Sequence, residues 1–295
     1  TGDYSNLPPL MEELLKLGQG HCNAISLPSI RAEKLTPELM EIIKKVRKTG
    51  FTIAPEAGSQ RLRDVINKNL TEGSITATVK NALELGWKNI KLYFMMGLPF
   101  ETPEDIDAIC SLSKGLASAY AKGKKKINVS ITSFIPKAHT PFQRCSQISL
   151  QETIEKLQYL KDNLRHPRVN LKWQSPEMSL VEGVWARGDR KLSKLLVAAF
   201  EKGCRLDGWT DRFDFSLWQD AFEETGIDPL FYTTRSRSEE ETLPWDHIDS
   251  GVLPKFLKKE YQNAREASLT FDCRDHDCTG CGVCDFKKIE PGLHD

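Results

Sequence analysis

No run of this chain is apolar over the length of a membrane-spanning helix, and its start carries no secretory leader pattern. Its 8 cysteines form no even disulfide framework, because half crowd into one short segment and the rest are scattered. Net charge is absent too: 41 basic residues meet 41 acidic ones, so nothing overall steers the chain to nucleic acid or to a membrane. The local cluster Lys122-Gly-Lys-Lys-Lys126 reads as a solvated loop. No internal repeat or low-complexity tract divides the sequence. These absences predict a cytoplasmic chain with no membrane partner. With 39% hydrophobic residues over 295 positions, one large domain with appendages can build a core.

What is present is strand–helix alternation. Segments 22–27, 51–54, 89–96 and 127–134 are short, β-branched or aromatic, and bounded by turn residues. Thr36-Pro37 and Thr102-Pro103 each offer an N-cap hydroxyl before a proline, and Asp105 stands at the capping-box position. Leu39, Ile42, Ile43 and Val46 give the first of these helices one apolar face. Such βαβα repetition predicts an α/β fold with a parallel sheet, whose ligands sit beyond the carboxyl ends of the strands.

Three motifs fall at those ends: TIAPEAGSQRLRD (52–64), KLYFMMGLPFETPED (91–105) and SFIPKAHTPFQ (133–143). Singly, Pro55, Gly58 and Gly97-Leu98-Pro99 read as turn punctuation, and Glu56 as a loop carboxylate. Together, PEAGSQRLRD, GLPFETPED and PKAHTPFQ resemble the later strands of radical S-adenosylmethionine (radical SAM) enzymes, in the branch that often carries a cobalamin-binding-like domain ahead of the barrel.

That resemblance implies an incomplete (β/α)6 TIM-like barrel over residues 1–150, a mainly helical extension or lid over 151–265 and a cysteine-rich tail over 266–295. It implies S-adenosylmethionine and a [4Fe-4S] cluster as cofactors, with cobalamin as a further one and methyl or methylthio transfer as a candidate outcome. The likeness places Ser26 and Arg31 near the cosubstrate's carboxylate. Glu56 and Ser59 would stand at its ribose and methionine part, with Gly97, Leu98, Pro99, Ile135 and Pro136 about the adenine. A reducing partner such as flavodoxin or ferredoxin is implied as well. The family's Cys-x-x-x-Cys-x-x-Cys loop occurs nowhere in the sequence. The chain therefore reads as a fragment whose first strand and cluster loop belong to a missing N-terminal part, and which alone is inactive.

A second site stands at the other end. Cys273, Cys278, Cys281 and Cys284 follow one another closely, and Gly280 and Gly282 permit the tight turns that wrapping a metal needs. Four thiolates take an auxiliary iron–sulfur cluster or a structural zinc, with disulfides or free thiols as the third reading. His276 reads as a loop residue. Cys22 and Cys110 read as small buried hydrophobes, and Cys145 and Cys204 carry no pattern.

Between the two sites the sequence turns helical. Ser149-Leu-Gln-Glu152 is a capping box ahead of Leu150, Ile154, Leu157, Leu160 and Leu164, and a short strand over 169–174 follows. Leu192, Leu195, Leu196, Ala199 and Phe200 mark a further helix closed by Gly203. Trp173, Trp185, Trp209, Trp218 and Trp245 read as core or lid packing, with stacking on a flat substrate as the alternative. Glu182, Arg187 and Asp189 read as loop-edge charges that contact a substrate or each other, and 233–246 as a flexible surface connection. Three functions follow in order: a radical enzyme on an unknown substrate, a barrel-derived binding or scaffold module held by zinc, and an enzyme using Glu56 as acid or base. The last lacks any His, Lys or second carboxylate at a motif spacing.

Overall fold

The computed structural model describes residues 4, 6–18, 39–42, 51–273 and 276–286. Helix α1 (Leu7–Leu17) comes first, and the sheet follows: β1 (Phe51–Glu56), β2 (Asn89–Met96), β3 (Lys126–Ser133) and β4 (Val169–Trp173). All three neighbouring pairs are parallel, and spatial order follows chain order. Parallel neighbours need long crossovers, and each one here carries a helix. Helices α2 (Gln60–Val65) and α3 (Glu72–Glu84) link β1 to β2, α4 (Pro103–Tyr120) links β2 to β3, and α5 (Leu150–Asn163) links β3 to β4.

Three of the four strands expected in the barrel segment are present within about two residues of their forecast bounds; the fourth, 22–27, lies outside the described residues, as do Ser26 and Arg31. The helix expected after Thr36-Pro37 is described only over 39–42, where Leu39, Met40 and Ile42 are buried. The short strand forecast at 169–174 pairs with β3, so the sheet runs on past residue 150, where the barrel segment was expected to end.

Alternation decides which side of the sheet is covered. Ile53, Ile90, Leu92, Phe94, Ile127, Val129 and Ile131 point to one face and share a core with Val79, Ile109 and Leu160 of α3, α4 and α5. The other face presents Lys91, Tyr93, Asn128 and Ser130, all half-buried. Helices on one face with strands in sequential order is the arrangement of (β/α) barrel segments, here with a polar inner face. β1 carries an irregularity between Ile53 and Glu56, where Pro55 has no N–H for the ladder.

The remaining helices are α6 (Pro176–Arg187), α7 (Leu192–Lys202), α8 (Phe215–Thr225), α9 (Pro229–Thr233) and α10 (Pro254–Arg265). α6, α7 and α8 form a second core around Val184, Leu195, Trp218 and Phe222. On α7 the buried stripe is Leu192, Leu195, Ala198 and Ala199, whereas Leu196 and Phe200 face outward. Gly203 closes that helix at φ 108°, as its position predicted. Residues 233–246 are not a loose connection: Thr233, Arg237, Leu243 and Trp245 are all buried. Among the described residues no helix is long and apolar enough to cross a membrane.

Gly58, after β1, packs directly on α4, and a Cβ there would meet Ile109 N at 2.3 Å and Ala108 C at 2.7 Å. Backbone cannot swing aside as a side chain can. Gly58→Ala is therefore expected to cost about 1–3 kcal/mol in urea denaturation, and unchanged stability would contradict this packing.

Candidate functional site at the strand ends

The loop after β1 is fixed by charge. Ser59 caps α2 by accepting from Leu62 N at 3.0 Å, and its hydroxyl donates to Asp105 of α4. The Asp105 carboxylate also accepts from Arg61 and, at 2.8 Å, from the Thr102 N–H, the capping-box contact the sequence predicted. Beneath the loop, the fully buried Arg63 donates to Ala57 O, Gly58 O and Leu70 O at 2.9–3.1 Å. Burial lowers the basicity of its guanidinium. Ser59 is thus committed to the scaffold. Glu56 differs: it sits at φ 67°, rare for a residue with a Cβ, and is half-exposed with Lys68 Nζ 3.4 Å away.

The loop after β2 is fixed by a buried carboxylate too. Gly97 stands at φ 78°, and its N–H donates to both Glu101 oxygens at 2.9 and 3.0 Å. Lys156 of α5 completes the pair at 2.8 Å. Burial still holds the Glu101 carboxyl above its ordinary range, only partly offset by Lys156 and the Gly97 N–H. The room left by the missing Gly97 side chain is filled by Ile148, whose methyl would lie 2.6 Å from a Cβ.

After β3, Phe134, Ile135 and Pro136 are buried. The three loops meet: Ala57, Leu98 and Phe134 belong to one apolar cluster, which Ala264 of α10 covers. Tyr261 of α10 packs against Phe100 and Phe142 with ring centroids 5.8 and 6.4 Å apart. Helix α10 thus lies over the strand ends.

The cysteine run folds back onto the same end. Leu253 N donates to Cys281 O at 2.8 Å, and Thr270 N donates to Asn67 Oδ1 at 3.1 Å. Cys273, Cys278, Cys281 and Cys284 are all free thiols. Gly280 and Gly282 take positive φ, and Gly280 N donates to Cys278 Sγ at 3.4 Å. Burial and then the neighbouring Cys281, Cys273 and Cys278 raise the Cys284 thiol. A tetrathiolate centre fits this donor set. Among the described residues, however, no three His, Cys, Asp or Glu side chains are drawn to ligating geometry. His276 packs on Phe271, centroids 4.8 Å apart.

Beside this cluster opens a cavity of about 1090 Å³. Gly97, Leu98 and Pro99 line it, while Glu56, Ser59, Ile135 and Pro136 do not. Its other walls include His139, Arg144, Cys145, Arg237 and Tyr261, none of which the sequence reading assigned to a site. Arg187 is no loop-edge charge; it is fully buried in α6 and donates to the carbonyls of Cys145, Tyr232 and Arg235. Glu182 pairs with Lys137 at 2.8 Å, and Asp189 accepts from Tyr232, so the three charges do not pair with each other. Cys145 is pushed up to about 11 by burial and is a neutral thiol at neutral pH.

Residues 1–113 match the model of the Radical SAM superfamily, a stretch that takes in the motifs after β1 and β2. Over that stretch the chain is similar to the Radical SAM superfamily. It is also similar to an uncharacterized protein, MJ0966, of Methanocaldococcus jannaschii, with 34% identity over 229 residues. That match covers 74% of this chain and 49% of the relative, so the chain spans about half the relative's length. A match to that superfamily implies S-adenosylmethionine and a [4Fe-4S] cluster. The residues present do not supply the family's cluster loop, since the sequence contains no Cys-x-x-x-Cys-x-x-Cys.

Asp105 gives a pH test. Its burial alone would raise the carboxyl, but hydrogen bonds from Ser59, Thr102 and Arg61 outweigh that and hold it below its ordinary range. A depressed carboxyl contributes stability that is complete above its unfolded value and is lost as pH falls through the lower folded one. Asp105→Asn should cost roughly 1–3 kcal/mol at pH 7 and flatten the acid limb of the stability profile below about pH 4. An unaltered acid limb would show that Asp105 does not hold the two loops together.

Proposed function

We propose that this chain provides the cosubstrate cradle and metal-bearing tail of a radical SAM enzyme. One observation carries the reading: three motif-bearing loops at the carboxyl ends of β1, β2 and β3 converge in a single cluster under α10. Ligands of parallel α/β folds bind at that end. When bound in the intact enzyme, S-adenosylmethionine and the cluster would supply the radical chemistry, while this chain's residues would supply orientation and exclusion of water.

Each loop has its own part. Glu56, held at an unfavourable φ, presents its carboxylate to the polar part of the cosubstrate. Leu98 and Pro99 offer backbone at the cavity wall, while the buried Ile135 and Pro136 are assigned to the flat base by the family resemblance alone. Asp105 and Arg63 position these loops without touching the ligand. Cys273, Cys278, Cys281 and Cys284 hold an auxiliary iron–sulfur cluster, which their close spacing favours over a zinc ribbon's two separate pairs. Cobalamin and a methyl or methylthio product rest on the family resemblance alone.

The test is anaerobic turnover of the intact protein with a chemical reductant. Methionine and 5′-deoxyadenosine should form in equal amounts, and Glu56→Ala should weaken S-adenosylmethionine binding about tenfold, the loss of one charged contact. Cys281→Ala should remove about four irons with their sulfide. No cleavage, together with one zinc bound through the tail, would replace this proposal with the scaffold reading.

A further inference from the structure

The outward face of α7 is apolar where a solvated helix is ordinarily polar. Leu192, Leu195, Ala198 and Ala199 already form its buried stripe, in the core shared with α6 and α8. On the opposite side Leu196, Val197 and Phe200 are each 56% exposed. The turn after the helix adds Leu206 and Trp209, 70% and 68% exposed. Arg205 holds that turn to the helix end: it lies over the Phe200 ring, 3.9 Å from its centroid, and donates to Phe200 O at 2.8 Å. Five large apolar side chains so exposed present a few hundred Å² to water, the extent that marks an interaction surface on a soluble chain. None of them belongs to the strand-end cluster or lines its cavity.

The charges on this face decide what fits it. Lys194 and Glu201 are both exposed and stand two helical turns apart, so they share one flank of the apolar stripe. Lys194 reaches a backbone carbonyl, Thr225 O, at 2.7 Å, and among the described residues Glu201 has no hydrogen bond or ion pair. The neighbouring charges are spent or cancel. Lys202, on the other flank, pairs with Glu224 at 2.7 Å with Asp220 close by, and in the turn Arg205 and Arg212 are offset by Asp207 and Asp211. Before the helix, Arg190 and Lys191 follow Asp189, whose carboxylate accepts from Lys191 N at 2.9 Å. A partner of one sign, such as nucleic acid or an anionic lipid surface, would meet Glu201 as well as Lys194. A second copy of this chain, reversed, meets no such mismatch, because it sets Lys194 of each copy against Glu201 of the other.

We propose that this chain forms a two-fold dimer through α7, the two helices packed antiparallel with Val197 near the axis. A two-fold contact needs a patch complementary to itself, and this one has an apolar centre and a flank whose opposite charges stand in the order that reversal pairs. Phe200 of each copy then covers Leu196 of the other, and Leu206 and Trp209 extend the contact past the helix ends. A stable interface takes about 800 Å² from each partner. The apolar patch supplies its centre, and Ser193, Lys194, Glu201 and Arg205, all exposed, supply the polar rim.

The experiment is sedimentation equilibrium of the intact protein over the micromolar range at low salt, where the flank charges are least screened. A reversible monomer–dimer equilibrium is expected; a monomer at every concentration overturns the proposal and leaves the face to another partner. Phe200→Asp, which puts a charge at the centre of the patch, should weaken dimerisation at least about tenfold with an unchanged circular dichroism spectrum. A dimer of unchanged affinity in that variant puts the interface elsewhere and overturns the assignment. Should the variant fail to fold, the charge pair carries the test by itself. Lys194→Glu should weaken the dimer several-fold, because the symmetry repeats the repulsion at both ends, and adding Glu201→Lys should restore it. A double variant as weak as the single one overturns the antiparallel pairing.

Discussion

A single buried carboxylate organises the end of the sheet where the chemistry would lie. Asp105 sits at the start of α4, after β2, yet it gathers Ser59 and Arg61 from the loop after β1 as well as its own Thr102. The contact is close because Gly58 lets that loop rest on the backbone of α4. Desolvation alone would neutralise such a group, but four hydrogen bonds keep it ionised, so the interaction strengthens as water is excluded. With the loop anchored by Asp105 above and Arg63 below, Glu56 is held at a backbone angle it would not choose.

Glu101 repeats the device one strand along, accepting from Gly97 N and pairing with Lys156. There burial wins over the partners, so the carboxyl sits above its usual range instead of below it. Glu101 and Asp105, one helical turn's length apart in sequence, thus brace two neighbouring strand ends. In the C-terminal region arginines take over: Arg187 ties the carbonyl of Cys145 to those of Tyr232 and Arg235, and Arg144 and Arg237 extend the network to residues 187, 238 and 241.

The sheet was legible in the sequence because its strands are short apolar runs bounded by glycine, proline and capped helix starts. Thr102 and Ser149 announced their helices, and Asp105 and Glu152 now accept from their backbone N–H groups. The likeness to the Radical SAM superfamily was legible in motifs at two strand ends. Long-range polar contacts were not. Ser59 reads as a ligand contact until Asp105, 46 residues away, is seen to take its hydroxyl. Arg187 and Arg237 look like surface charges because nothing local shows that other loops close over them. Leu196 and Phe200 look like core because helical spacing gives the stripe but not its width.

The cosubstrate site is proposed at the strand-end loops. Hydrogen–deuterium exchange on the intact protein, with and without S-adenosylmethionine, tests that most directly. Slowed exchange confined to residues 55–59, 97–101 and 134–136 and to the α10 cover is the predicted result. Protection elsewhere on the molecule, with these loops unchanged, would contradict it.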